Sequence, residues 1–240
     1  MTTSTLFEPL LPSCVLVAEM DPRDGLISAL APAERGAIAD AVPHRQREFA
    51  AGRQLAHRLI GELGLASGAI LSHADRSPAW PAGIVGSITH CPNRIAVTVA
   101  RATDVEGIGI DIEPSTPLPD GLEPLVLATE ESRRFTGLSA EERALRSRWV
   151  FSAKEATYKA IYPLTGKVLE FADLVVSWEA GGFVAVLRCA APPFRLGTRF
   201  VGRCAVEDGY IATVVVIERG QGAAATVRGG ATSARALLHG

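Results

Sequence analysis

The chemistry of this 240-residue chain concentrates in two short stretches. One is Gly107-Ile108-Gly109-Ile110-Asp111-Ile112-Glu113. The other is Trp149-Val150-Phe151-Ser152-Ala153-Lys154-Glu155-Ala156-Thr157-Tyr158-Lys159-Ala160. Side chains alternate across a strand, so Ile108, Ile110 and Ile112 would face a core while Gly107, Gly109, Asp111 and Glu113 face the other way. Glycines on that second face signal that something approaches the backbone closely. Two carboxylates ~7 Å apart repel by roughly 2–3 kcal/mol at an effective dielectric near 20. A divalent cation turns that repulsion into binding, and Mg²⁺ commonly takes one or two carboxylates together with phosphate oxygens. On a helix Glu155 and Lys159 share a face, with Lys154 beside them. Three carboxylates and two lysines thus form a set able to hold a divalent cation against phosphates. Each pattern alone also has a plainer reading: a solvated strand face with ion pairs, and an exposed i,i+4 salt bridge. The apolar neighbours Trp149, Val150, Phe151, Tyr158, Ile161 and Tyr162 favour a partly buried polar face.

The flanking sequence supplies elements to position these groups. Pro32-Ala33-Glu34 opens a first helix, and a second is expected from about Arg45 to Leu63, ended by Gly64, with Phe49, Leu55, Leu59, Ile60 and Leu63 buried and Arg45, Arg53 and Arg58 off the stripe. A loop carrying Arg76, Pro78, Trp80 and Pro81 follows, with Trp80 read as a packing residue. Strands are expected at 84–89, 94–100 and 107–113, the first two joined by Cys91-Pro92-Asn93 as a hairpin. After a proline-rich connector, Thr129 and Ser139 are expected helix caps. The second of these helices is long, running to about Ile161 and closed by Pro163. Strands at 174–179, 183–189, 199–206 and 211–217 complete the order. Helices, strands, helices, strands point to an α+β chain of two halves of similar plan, residues 1–114 and 115–219. Residues 220–240, rich in Gly, Ala, Ser and Thr, read as a disordered tail with a weak helical tendency near Ser233–Leu238.

Composition narrows the classes. The chain is 48% hydrophobic and its net charge is −2, so it carries no global field for nucleic acid or anionic membrane and any anion recognition must be local. Cys14, Cys91, Cys189 and Cys204 form no CxxC pair, which excludes a zinc ribbon or a redox motif. No apolar run reaches the ~18–20 residues of a membrane span, and Pro9 and Pro12 interrupt the N-terminal apolar stretch. A cytoplasmic monomer is the expectation. His44, His57, His73 and His239 show no metal-ligand spacing.

Taken together, four motifs in order resemble the 4′-phosphopantetheinyl transferases, in the branch of enterobactin synthetase component D that serves siderophore, nonribosomal peptide and polyketide synthases. They are Arg45-Gln46-Arg47-Glu48-Phe49-Ala50-Ala51-Gly52-Arg53, then Trp80-Pro81 with Val85-Gly86-Ser87-Ile88-Thr89-His90, then Gly109-Ile110-Asp111-Ile112-Glu113, then Phe151–Ala160 followed by Tyr162-Pro163-Leu164-Thr165. The chain departs from some relatives after His90, where it reads Cys91-Pro92-Asn93-Arg94, and at Asp75, where they carry lysine.

The resemblance implies an α+β fold of two pseudo-symmetric halves with the active-site cleft between them, and transfer of phosphopantetheine from coenzyme A to a serine of an apo acyl, peptidyl or aryl carrier protein, with release of adenosine 3′,5′-bisphosphate. It implies Asp111, Glu113 and Glu155 as ligands of Mg²⁺, with Mn²⁺ as a substitute, and Glu155 as general base toward the serine, directly or through water. Lys154 and Lys159 would contact the phosphates, Lys159 also stabilising the leaving oxygen. Arg45, Arg53, Arg76 and His90 are expected at the nucleotide end, His90 at the 3′-phosphate; the planar fork of arginine suits phosphate. Arg133, Arg134, Arg143, Arg146 and Arg148 are expected either as a basic rim for an acidic carrier or as ordinary surface charge. Two other classes use similar residues: a metal-dependent nucleotide phosphohydrolase, and a non-catalytic coenzyme A-binding protein that would not need three carboxylates.

Overall fold

The computed structural model describes residues 5–220, and the expected disordered tail lies almost wholly outside the described residues. Strands β1 (Leu16–Met20), β2 (Ile84–Cys91) and β3 (Arg94–Arg101) form an antiparallel sheet in the order β1-β3-β2. A second antiparallel sheet runs β4-β8-β7-β6-β5, from β4 (Val105–Pro114), β5 (Leu174–Glu179), β6 (Gly182–Leu187), β7 (Arg199–Glu207) and β8 (Tyr210–Glu218). The expected strands are all present, and β2 and β3 form the expected hairpin. Strand β1 has no counterpart in the sequence reading; its five residues show only one buried position, so no alternation announces it.

Strand β4 pairs along β8, so by hydrogen bonding it belongs to the second sheet, ahead of the expected division at residue 114. Its other flank meets β2 through side chains. The Ile110 amide donates to Ser87 Oγ (3.2 Å) and the Ile112 amide to Thr89 Oγ1 (3.1 Å), which satisfies amides that would otherwise be orphaned between two sheets. The expected isoleucine alternation holds. Ile108, Ile110 and Ile112 are buried among Phe7, Ala96, Ala100, Ala212 and Val214.

Helix α1 (Pro32–Ala37) precedes α2 (Pro43–Glu62), whose Leu55, Leu59 and Ile60 pack on Ile95, Val97 and Val99 of β3. Pro43 opens α2 at its first turn, where its missing N–H costs nothing. Phe49 leaves the main stripe for a small cluster with Leu30 and Ile38. Arg53, expected off the stripe, is instead buried. Trp80 does pack, its ring covering Gly86, where a β-carbon would collide with it.

In the second half come α3 (Glu123–Val126), α4 (Thr129–Arg134) and the long α5 (Ala140–Thr165). Ser139 caps α5 in a box with Glu142, as expected. Thr129 does not cap α4: the cap is Ala128, whose amide donates to Glu131 Oε2 at 2.7 Å. Nor does Pro163 close α5, which continues to Thr165 and ends at Gly166 in the left-handed region, φ 60°. So near the end the proline disturbs little. Among the described residues no helix is long and apolar enough to cross a membrane.

Candidate active site

Strand β4 and helix α5 approach each other unusually closely, because the glycines of one face the alanines of the other. A β-carbon at Gly107 would stand 2.4 Å from the Ala160 carbonyl oxygen, while Ala156 and Ala160 are fully buried. What the two strand glycines admit is therefore the helix itself. On the same face, one turn earlier, α5 is tied to β8 by Ser152 and Thr213, whose hydroxyls lie 2.9 Å apart. Thr213 is the register partner of Asp111.

This approach brings Lys159 over the carboxylate strand. Its Nζ donates to Asp111 Oδ1 at 2.6 Å and to the Ile110 carbonyl at 3.3 Å. Thr89 Oγ1 donates to the same Asp111 oxygen at 3.1 Å. Asp111 is 4% exposed, and its Oδ2 is buried with no hydrogen-bond partner. Glu113 Oε2 accepts from Arg148 Nη1 at 2.7 Å. Burial and the charge of Asp111 push the Glu113 carboxyl up to about 7, against the pull of Arg148. Burial likewise pushes Glu155 up; Lys159 opposes this and Asp111 adds to it. Burial would lower Lys159, but Asp111 and Glu155 outweigh it, and the ammonium is held above its ordinary value.

Asp111, Glu113, Glu155 and Lys159 thus share one electrostatic neighbourhood. Among the described residues no group of three or more His, Cys, Asp or Glu side chains stands ready as a metal cage. The expected convergence of three carboxylates on one ion is therefore not displayed as a closed cluster, since Lys159 and Arg148 already hold Asp111 and Glu113. The donor set still fits a hard cation. It offers an unsatisfied buried carboxylate oxygen and two further carboxyls, Glu113 and Glu155, that burial pushes up.

Beside this centre lies a cavity of about 930 Å³ that collects Arg45, Arg53, Arg76 and His90, all four residues expected at the nucleotide end. His90 follows Thr89 on β2 and joins the cavity to the carboxylates. Burial lowers its imidazole; Glu48 opposes this, and Arg45 and Lys159 reinforce it. Arg45 bonds Glu48 at 2.9 Å and lies 3.4 Å from His90 Nε2. Arg53 forms wall rather than a projecting cation. It is 4% exposed, donates through Nε to the Ile70 carbonyl (2.5 Å) and through Nη2 to Ser72 Oγ (3.2 Å), and stacks over Phe49. Burial lowers its guanidinium to about 10, which leaves it charged at neutral pH.

Lys154 is turned away from Asp111 and Lys159, so its position does not support the phosphate contact expected of it. It is 1% exposed, and its ammonium bonds Glu131 Oε2 (2.6 Å) and the carbonyls of Val126 and Phe171. One residue before Glu155, it points about 100° away on the helix, into the core of the second half. Its stem, with Glu155, Tyr158, Leu169 and Phe171, lines a smaller cavity of about 190 Å³. Arg148, expected at a rim, instead serves the centre. Arg134 and Arg143 are likewise engaged internally, with the Val176 carbonyl and with Glu123 and Ser132. Thr89 also belongs to the site, and the Ser-x-Thr alternation on β2 was the signal for it.

The 4′-phosphopantetheinyl transferase N-terminal domain matches residues 33–100, and the 4′-phosphopantetheinyl transferase superfamily matches residues 107–215. The chain is 41% identical over 224 residues to 4′-phosphopantetheinyl transferase Svp of Streptomyces mobaraensis, covering 90% of each chain. It is 35% identical over 234 residues to 4′-phosphopantetheinyl transferase PptT of Mycobacterium tuberculosis, covering 90% of this chain and all of that one. To enterobactin synthase component D of Salmonella typhi it is 34% identical over 119 residues, 48% of each chain.

Proposed function

The chain belongs to the 4′-phosphopantetheinyl transferase superfamily, and we propose that its two cavities and carboxylate centre carry that reaction as follows. Coenzyme A lies with its nucleotide end in the larger cavity. There Arg45, Arg76 and His90 meet phosphate oxygens, and Arg53 holds the wall. The pyrophosphate crosses past His90 to Lys159 and the carboxylates. The pantetheine arm continues toward the smaller cavity beside Glu155, Tyr158 and Phe171.

The serine hydroxyl of an apo carrier protein attacks the β-phosphorus. A bond forms from serine Oγ to that phosphorus, the bond to the oxygen bridging the α-phosphate breaks, and adenosine 3′,5′-bisphosphate departs. Glu155 takes the serine proton, directly or through one water. Lys159, held protonated, donates to the departing phosphate oxygen. Asp111, Glu113 and Glu155 would hold Mg²⁺, which when bound supplies neutralisation of pyrophosphate charge.

The observation that carries this reading is Asp111. One of its oxygens is engaged by Lys159 and the other is buried without a partner, next to a cavity rich in cationic side chains. Incubating the protein with coenzyme A, Mg²⁺ and an apo carrier domain should add one phosphopantetheine mass to the carrier. Breakdown of coenzyme A without carrier, and no mass gain with it, would instead identify a phosphohydrolase.

A further inference from the structure

We propose that Tyr162 and Asp75 form a latch between the two halves of the molecule that positions Arg76 in the nucleotide cavity. The inference rests on the reading of that cavity as the site for the nucleotide end of coenzyme A. The loop carrying Arg76 is a tight hairpin closed by a bridge between Ser72 and Pro78, with the His73 amide donating to the Ser77 carbonyl (2.8 Å) and the Arg76 amide to the His73 carbonyl (2.9 Å). Arg76 has φ 70°, in the left-handed region that L side chains seldom adopt. Such a backbone persists where its surroundings hold it.

Here they hold it at both ends. At the base, Arg53 of α2 donates to the Ile70 and Leu71 carbonyls and to Ser72 Oγ. At the tip, the two oxygens of Asp75 divide the work. Oδ1 accepts from the Ser77 amide (2.9 Å) and hydroxyl (2.6 Å) and shapes the loop. Oδ2 accepts from the Tyr162 hydroxyl of α5, across the cleft. Arg76 lies between these fastenings and lines the cavity with Arg45 and His90.

Tyr162 sits about two turns beyond Glu155 and one beyond Lys159, with its ring centroid 5.2 Å from that of Tyr158. One rigid helix therefore carries the proton acceptor, the ammonium that meets the departing phosphate oxygen and the hydroxyl that sets the arginine loop. The spacing from the reacting phosphate to the nucleotide phosphate is built into α5. Tyr162 is a positioning residue, acting through Asp75 on Arg76.

The test uses the full chain, an apo carrier domain, and two substrates, coenzyme A and 3′-dephospho-coenzyme A. The Tyr162→Phe variant keeps the ring and its contact with Tyr158. It should raise KM for coenzyme A about five- to tenfold, leave kcat within about twofold, and erode the preference for the 3′-phosphorylated substrate. Arg76→Ala should do the same, and the double variant should add little beyond either single one, as expected of residues acting as one unit. Equal changes in KM for both substrates, a loss confined to kcat, or fully additive effects would overturn the latch. If the unsubstituted protein transfers phosphopantetheine and Tyr162→Phe matches it, the latch alone fails. If the unsubstituted protein transfers nothing, the reading of the cavity fails with it.

Discussion

A β-carbon placed on Gly109 would stand 1.8 Å from the carbonyl oxygen of Ala156. The contact between these two residues sets the depth at which α5 lies on β4, and so whether Lys159 reaches Asp111. Substituting Gly109→Ala therefore pushes the helix outward. We expect a loss of about 1–3 kcal/mol or more in urea unfolding, as for overpacked cores, together with a collapse of transfer activity. Unchanged stability would show that the helix can shift at no cost.

Stability and activity should separate at the carboxylates. Glu155→Gln removes charge from a desolvated carboxyl, so its melting temperature should hold or rise, while Asp111→Asn takes the carboxylate from Lys159 and should lower it without unfolding the chain. Transfer should fall ~10³-fold, about 4 kcal/mol of barrier. Chelation of divalent cations should abolish transfer by the unsubstituted protein, and added Mg²⁺ should restore it. Near-normal rates in both variants at limiting Mg²⁺ would reject the metal-ligand assignment.

For Lys154 the expected outcome is structural. Lys154→Met leaves Glu131 buried with its ammonium partner gone, a loss that typically costs about 3–5 kcal/mol. Part of the cost is offset because Glu131 still accepts from the amides of Ala128 and Val176. Replacing both members, with Glu131→Leu added, would strand those amides and should not recover stability. Recovery in the double variant would show that the ion pair, rather than the capping, is what matters there.

An acid-sensitive joint lies at Glu34, fully buried on α1. Burial raises its carboxyl, but hydrogen bonds from the amides of Ile70 (2.7 Å) and Ala31 (2.9 Å) and from His57 (2.8 Å) outweigh this and hold it below its ordinary value of 4.5. A folded-state value below the unfolded one contributes stability that is fully present above about pH 4.5 and lost as pH falls through the folded value. Urea melts from pH 7 to pH 3 should show a decline below that window. The decline should be shallower in Glu34→Gln, whose overall stability is lower; an unchanged acid slope would remove Glu34 from the account.

Much of the site was legible in the chain. The alternation from Gly107 to Glu113 announced a strand with one apolar and one acidic face, because the period of two is a local property of extended backbone. The i,i+4 spacing placed Glu155 and Lys159 together for an equally local reason. Arg45, Arg53, Arg76 and His90 could be named from motifs, and the folded chain gathers them around one cavity. Sequence spacing could not tell which of the two lysines, Lys154 or Lys159, lies against Asp111. Nor could it reveal that Arg53 is consumed by the 70–72 carbonyls, or that Arg148 reaches back to Glu113.

By itself, then, the sequence determined the family, the roster of ionisable groups and the elements other than β1, since these depend on side-chain identity and short-range periodicity. Only the tertiary structure decided the pairings: Lys154 with Glu131, Lys159 with Asp111, Tyr162 with Asp75. Those choices turn on how far a helix can descend onto a strand and which buried charge finds a partner there. Both are set by contacts between residues distant in the chain, such as Gly109 and Ala156, and neither is written in the spacing of neighbours.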